Sequence, residues 1–143
     1  MSDGAKAAEE VVRKFDTAVM EAGDFDLAMQ YAHPDLTVRE NPNLPYRGTY
    51  VGRQGLDELL EDVTYWFEFL EPVKMEFRGV DETLVVGRFE TRARVRATGE
   101  EIDFLVVEMA TVRDGKVADI EPFYYDQKPL LDAARAEREA AAK

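Results

Sequence analysis

Between residues 6 and 22, Val11, Phe15, Ala18 and Ala22 recur at helical spacing, with Val12 and Val19 beside them. That period predicts an amphipathic helix. Gly23 ends it, and Asp24 is placed to cap a short second helix over 25–32, carrying Phe25, Met29 and Ala32 inward. His33-Pro34 should stop that helix, because the residue before proline avoids the α region. Residues 36–40 then read as a short strand. Residues 41–52 hold two prolines and two glycines and read as a loop. A third helix is predicted over about 54–70. Leu56, Leu59, Leu60, Val63, Phe67 and Leu70 line one face, while Asp57, Glu58, Glu61 and Asp62 line the other.

After Pro72 the period changes to two. Val73, Met75 and Phe77 alternate with Lys74, Glu76 and Arg78. Val85, Phe89, Thr91, Ala93 and Val95 alternate with five charged residues from Arg88 to Arg96. This is the signature of half-buried antiparallel strands with a charged outer face. A turn at Thr98-Gly99-Glu100 leads into a more apolar strand, 102–113. Arg113-Asp114-Gly115-Lys116 turns it into a last strand, 117–126. The Ala-, Glu- and Arg-rich tail, 129–143, is predicted helical. Helices followed by a run of strands imply an α+β fold: a curved antiparallel sheet with helices on one face, enclosing a pocket at its open end. The chain divides into one domain, 1–128, and a helical tail, 129–143.

Composition narrows the chemistry. The 143 residues carry 18 Lys+Arg against 30 Asp+Glu, a net charge of −12. Phosphate contacts need clustered cations, so nucleic acid is excluded as the expected partner, and anionic membranes are disfavoured. There is no cysteine and one histidine, His33. Disulfides, thiolate catalysis and sites built from several imidazoles are therefore ruled out. No stretch approaches the roughly 18 apolar residues of a bilayer span. The polar N-terminus lacks a signal core, so a cytoplasmic location is the default. No cofactor and no metal are expected.

Four stretches carry a family resemblance. They are Ala22-Gly23-Asp24-Phe25-Asp26-Leu27; His33-Pro34-Asp35-Leu36-Thr37-Val38; residues 44–52; and Val112-Arg113-Asp114-Gly115-Lys116-Val117 with Glu121-Pro122-Phe123-Tyr124-Tyr125-Asp126. In order and spacing they resemble the SnoaL-like polyketide cyclase and ketosteroid isomerase group of the nuclear-transport-factor-two-like cone fold. The resemblance implies a cone-shaped sheet around three N-terminal helices and a homodimer through the exposed sheet face. It also implies a carboxylate base at the end of the first strand, which falls on Glu40. Ketosteroid isomerases place an oxyanion-donating tyrosine on the first helix; the matching residue here is Asp16. The strand acid of their oxyanion hole aligns near Val107 or Glu108.

The residues themselves single out two carboxylates. Glu40 at a strand end facing an apolar cone would have its charged form disfavoured and its pKa raised, as a base near neutral pH requires. The bland reading is a solvated side chain beside Asn41-Pro42. Glu108 shares its strand face with Phe104, Val106 and Ala110, where an isolated carboxylate needs a partner or a proton. If this face lines the cone, it is a second acid/base group or a neutral hydrogen-bond donor; the alternatives are an ion pair across the sheet or, with the opposite strand parity, a place in a dimer face. Tyr46 offers a neutral donor for an enolate oxygen, or simply packs its loop. Trp66, Phe89 and Tyr124 are candidate walls for a flat apolar or aromatic ligand. Phe69 reads as core, and His33 as a structural turn residue.

Three functions fit. One is a cofactor-independent isomerase or cyclase in which Glu40 removes a proton α to a carbonyl, and Tyr46 or a protonated Glu108 stabilises the enolate. Another is an epoxide hydrolase of the limonene or polyether type, which needs two carboxylates bridged by an arginine. The third is a non-catalytic, dimeric ligand-binding module.

Overall fold

The computed structural model describes residues 1–142. Helix α1, Asp3–Thr17, starts where the Ser2 hydroxyl accepts from the Ala5 N–H at 3.1 Å. Its buried stripe is Ala5, Ala8, Val12 and Phe15, with Asp16 beside Phe15. The helix then loosens into one π-helical turn, Ala18–Ala22, closed by Gly23 in the left-handed region at φ 61°. Asp24 accepts from the Leu27 N–H at 3.0 Å and caps α2, Phe25–Met29. Strand β1, Ala32–Glu40, follows at once.

The first strand therefore begins earlier than its sequence suggests and runs through His33-Pro34. Pro34 falls within the irregular stretch of pairing between Ala32 and Thr37, where a missing N–H removes no ladder bond. The loop also contains a strand: β2, Gly48–Val51, pairs antiparallel with the end of β1. Helix α3, Gly52–Trp66, is shorter than its apolar period predicts. Its final residues become β3, Phe67–Phe69, which pairs with Val95–Ala93. Phe67 is fully buried there and meets Phe104 edge to face, so sheet pairing overrides the helical period.

Four strands complete the chain's sheet: β4, Lys74–Gly79; β5, Leu84–Val95; β6, Glu101–Arg113; and β7, Lys116–Tyr124. The order is β2-β1-β7-β6-β5-β3, with β4 also on β5. Every pair is antiparallel except β1 with β7, which runs parallel. The predicted alternation on β5 holds: Val85, Phe89, Thr91, Ala93 and Val95 all point inward and are buried.

The curled sheet closes around two apolar clusters. The larger gathers Val12, Phe15, Phe25, Leu36, Val38, Phe77, Phe89 and Ile120 between the N-terminal helices and the sheet. The smaller gathers Leu44, Tyr46, Trp66, Phe67 and Val95, covered by Leu130 and Ala133 of α4, Lys128–Ala141. Among the described residues no helix is long and apolar enough to cross a membrane.

Candidate functional site

The larger core is not filled. A cavity of about 340 Å³ opens between α1, α3 and the concave face of the sheet. Its walls are Phe15, Val19, Phe25, Val38, Leu56, Leu59, Val63, Phe89, Phe104, Val106, Ile120 and Tyr124. That volume suits a small ring system. Met20, Leu60 and Phe69 stand at its mouth, each 39–48% exposed. Phe69, which reads as core in the sequence, is thus a rim residue.

Four carboxylates line this apolar space: the exposed Glu71 at its edge and, reaching inside, Asp16 from α1, Glu40 from the end of β1 and Glu108 from the middle of β6. Among the described residues the cavity wall contains no arginine and no lysine to neutralise them. Asp16 and Glu108 are almost fully buried, at 2% and 4% exposed. Their carboxyl groups hydrogen-bond to each other, which two acids can do only if one of them keeps a proton. Burial raises the pKa of both. The neighbouring Asp16 charge pushes Glu108 up further, while the hydrogen bond from Glu108 moderates the rise at Asp16. The two acids are therefore a pair sharing one proton. Each keeps a buried oxygen with no donor from elsewhere in the protein.

Glu40 is different. Burial alone pushes its pKa up to about 8. Its Oε2 is buried and has no hydrogen-bond partner. Strand geometry explains this exposure to the cavity: β1 ends at Glu40, opposite Gly48, and Val38 two residues earlier lines the same wall. An acid held this way is ionised only in part near neutral pH, and once ionised it is a strong base for an apolar partner.

The aromatic candidates separate. Phe89 and Tyr124 line the cavity. Tyr46 lies behind Tyr124, and their hydroxyls are hydrogen-bonded. Burial and the nearby Glu40 charge raise both phenols well above the usual range, so both stay protonated. Trp66 lies outside this cavity, on a groove beneath α4. His33 lies on the far side of the fold, its Nε2 2.6 Å from the Arg113 carbonyl. Arg53 pairs with Asp26 and Asp57 on the surface. Among the described residues no three carboxylate or imidazole groups converge as metal ligands would.

The role of Asp16 within the cavity was legible only in part. It falls one turn after Val12 and just before Val19, on the inward stripe of α1. A carboxylate at such a position is the same signal that singles out Glu108 on β6.

A curled sheet over N-terminal helices, enclosing an acid-bearing apolar cavity, defines the nuclear-transport-factor-two-like class. An NTF2-like protein from Burkholderia xenovorans superposes with a TM-score of 0.70 at 25% identity, over 90% of this chain and 95% of that one. A candidate SnoaL-like polyketide cyclase from Mesorhizobium loti gives 0.66 at 21% identity, over 80% and 97%. A ketosteroid isomerase-like protein from Erwinia carotovora gives 0.65 at 16% identity, over 88% and 99%. No curated protein matches the sequence. The SnoaL-like domain model matches residues 12–120, so the chain belongs to the SnoaL-like family.

Proposed function

We propose that this protein is a cofactor-independent isomerase or cyclase that enolises a neutral, apolar carbonyl compound. One observation carries the reading: a lone high-pKa carboxylate, Glu40, and a proton-sharing acid pair, Asp16–Glu108, enter one apolar cavity whose wall, among the described residues, has no basic group. Ionised Glu40 takes a proton from the carbon α to the carbonyl. The C–H electron pair becomes the enolate C=C bond, and negative charge moves to the carbonyl oxygen. The proton shared by Asp16 and Glu108 turns from the pair to donate a hydrogen bond to that oxygen in a dry site, where such a bond is worth most. Return of the proton from Glu40 to another carbon shifts a double bond. Attack of the enolate carbon on a second carbonyl closes a ring.

A base poised near pH 8 and a neutral donor are the two properties that enolisation needs. An arginine-bridged acid pair, as an epoxide hydrolase requires, has no counterpart in the cavity wall. On the outer sheet face Met109 and Phe123 are 40% and 45% exposed, and we place the homodimer contact there.

The test uses a neutral bicyclic ketone, 2-tetralone, in deuterated water. Deuterium uptake at its α carbons, followed by proton NMR, should be accelerated by the protein and lost in Glu40→Gln. If 2-tetralone binds but exchange stays at the buffer rate, the protein is a binding module and the enzymatic reading fails.

A further inference from the structure

A second space lies outside the cavity and plays no part in that chemistry. It is a groove of about 580 Å³ between the loop before β2 and helix α4. Its floor is apolar, formed by Leu44, Pro45, Trp66 and Leu131. Arg47 approaches from the loop, and Arg135 and Arg138 approach from α4. In a chain of net charge −12, three arginines around one depression run against the overall field.

The acids nearby offset only part of them. Glu137 lines the groove, one of its carboxylate oxygens accepting a hydrogen bond from the Tyr65 hydroxyl. Arg135 reaches Asp132 at 3.6 Å. Among the described residues, Arg47 and Arg138 have no carboxylate within ion-pairing distance. Most other arginines of this protein do, including Arg88, Arg92 and Arg94 on the outer face of β5 and Arg96 just beyond it. Unspent guanidinium forks above an indole and aliphatic side chains match a ligand with a flat apolar body and an anionic end.

We infer that this groove is a second ligand site, selective for a flat aromatic carboxylate. The two spaces have opposite preferences. The cavity offers acids and no cation; the groove offers cations over an apolar floor. The loop is the partition between them. Leu44 and Arg47 face the groove, whereas Tyr46 between them reaches Tyr124 in the cavity wall. The inference does not depend on the enolisation reading.

The full chain is titrated with 2-naphthoate while the indole N–H signal of Trp66, the one tryptophan, is followed by nitrogen-correlated NMR. Calorimetry gives the affinity. The signal should move on binding, and affinity should fall with added salt. It should fall at least about tenfold in Arg47→Gln/Arg138→Gln, two exposed positions where the change leaves the core intact. Saturating neutral 2-naphthol, a probe for the cavity, should not displace the carboxylate. Binding unchanged in the double variant overturns the inference. So does competition between the two naphthalenes, or a Trp66 signal that stays fixed at millimolar 2-naphthoate.

Discussion

Gly87 on β5 sits directly across the ladder from Glu108 on β6, and a methyl group added at Gly87 would lie 3.0 Å from both Cγ and Oε1 of Glu108. It would also lie 3.1 Å from the Phe89 ring. The glycine is there for space, since its backbone is ordinary strand. Without that space the Glu108 carboxyl could not stand upright toward Asp16. Gly87→Ala is therefore expected to cost on the order of 1–3 kcal/mol of stability by overpacking. It should also slow ketone exchange, because the displaced carboxyl no longer aims its proton into the cavity. Denaturant melts together with the 2-tetralone assay measure both.

Glu40 links stability to pH with a definite sign. Its folded-state pKa is raised to about 8 from an ordinary 4.5, so the folded protein holds a proton that the unfolded chain releases in between. The associated stability is fully present below about pH 4.5 and is lost as pH rises toward 8. Glu40→Gln removes this dependence. The variant should be more stable than the parent by roughly 1–3 kcal/mol at pH 8, and equal to it near pH 4. Urea unfolding at the two pH values tests the claim; a constant difference across pH would contradict it.

The same residue shapes the rate. If ionised Glu40 is the base, exchange into 2-tetralone should rise as pH passes through about 8 and then level off. A profile already flat at pH 6 would mean that another group removes the proton.

The acid pair should behave as a unit. Asp16→Asn leaves Glu108 its proton but replaces the charged carboxylate that accepts it by a neutral, weaker amide oxygen. Glu108→Gln replaces the acid by a weaker amide donor. Each single change is expected to lower the exchange rate by roughly 10- to 1,000-fold, and the double change by little more than the worse single one. Both singles should gain stability at high pH, where the parent must bury ionised carboxylate. Additive losses in rate would separate the two residues functionally.

Tyr46 and Tyr124 supply a structural control. Tyr124→Phe strands the buried Tyr46 hydroxyl and should cost about 1–3 kcal/mol. The double variant with Tyr46→Phe should recover part of that loss, because no unpartnered hydroxyl remains. Thermal melts of the four proteins in the cycle give the coupling energy.

Most of the fold was legible because it rests on period. The inward stripe of α1, the alternation on β5 and the tail helix follow from local spacing, which a single sequence displays. The errors fall where distant chain decides. Phe67 and Phe69 continue the apolar face of α3 in sequence, yet they serve as β3 because Val95 and Ala93 offer a ladder. Gly48–Val51 lies in a proline- and glycine-rich segment but becomes β2 because β1 presents an open edge.

The sequence by itself determined the charged and apolar faces, the α+β order of elements and two misplaced-looking carboxylates, Glu40 and Glu108. Those are properties of a residue and its near neighbours. Only the tertiary structure decided that Asp16 meets Glu108, that both share a dry cavity with Glu40, and that Trp66 lies outside it. The physical reason is distance along the chain. Whether a carboxyl is solvated, paired or protonated depends on groups brought near it from about 90 residues away, and that proximity exists only once the sheet has curled around α1.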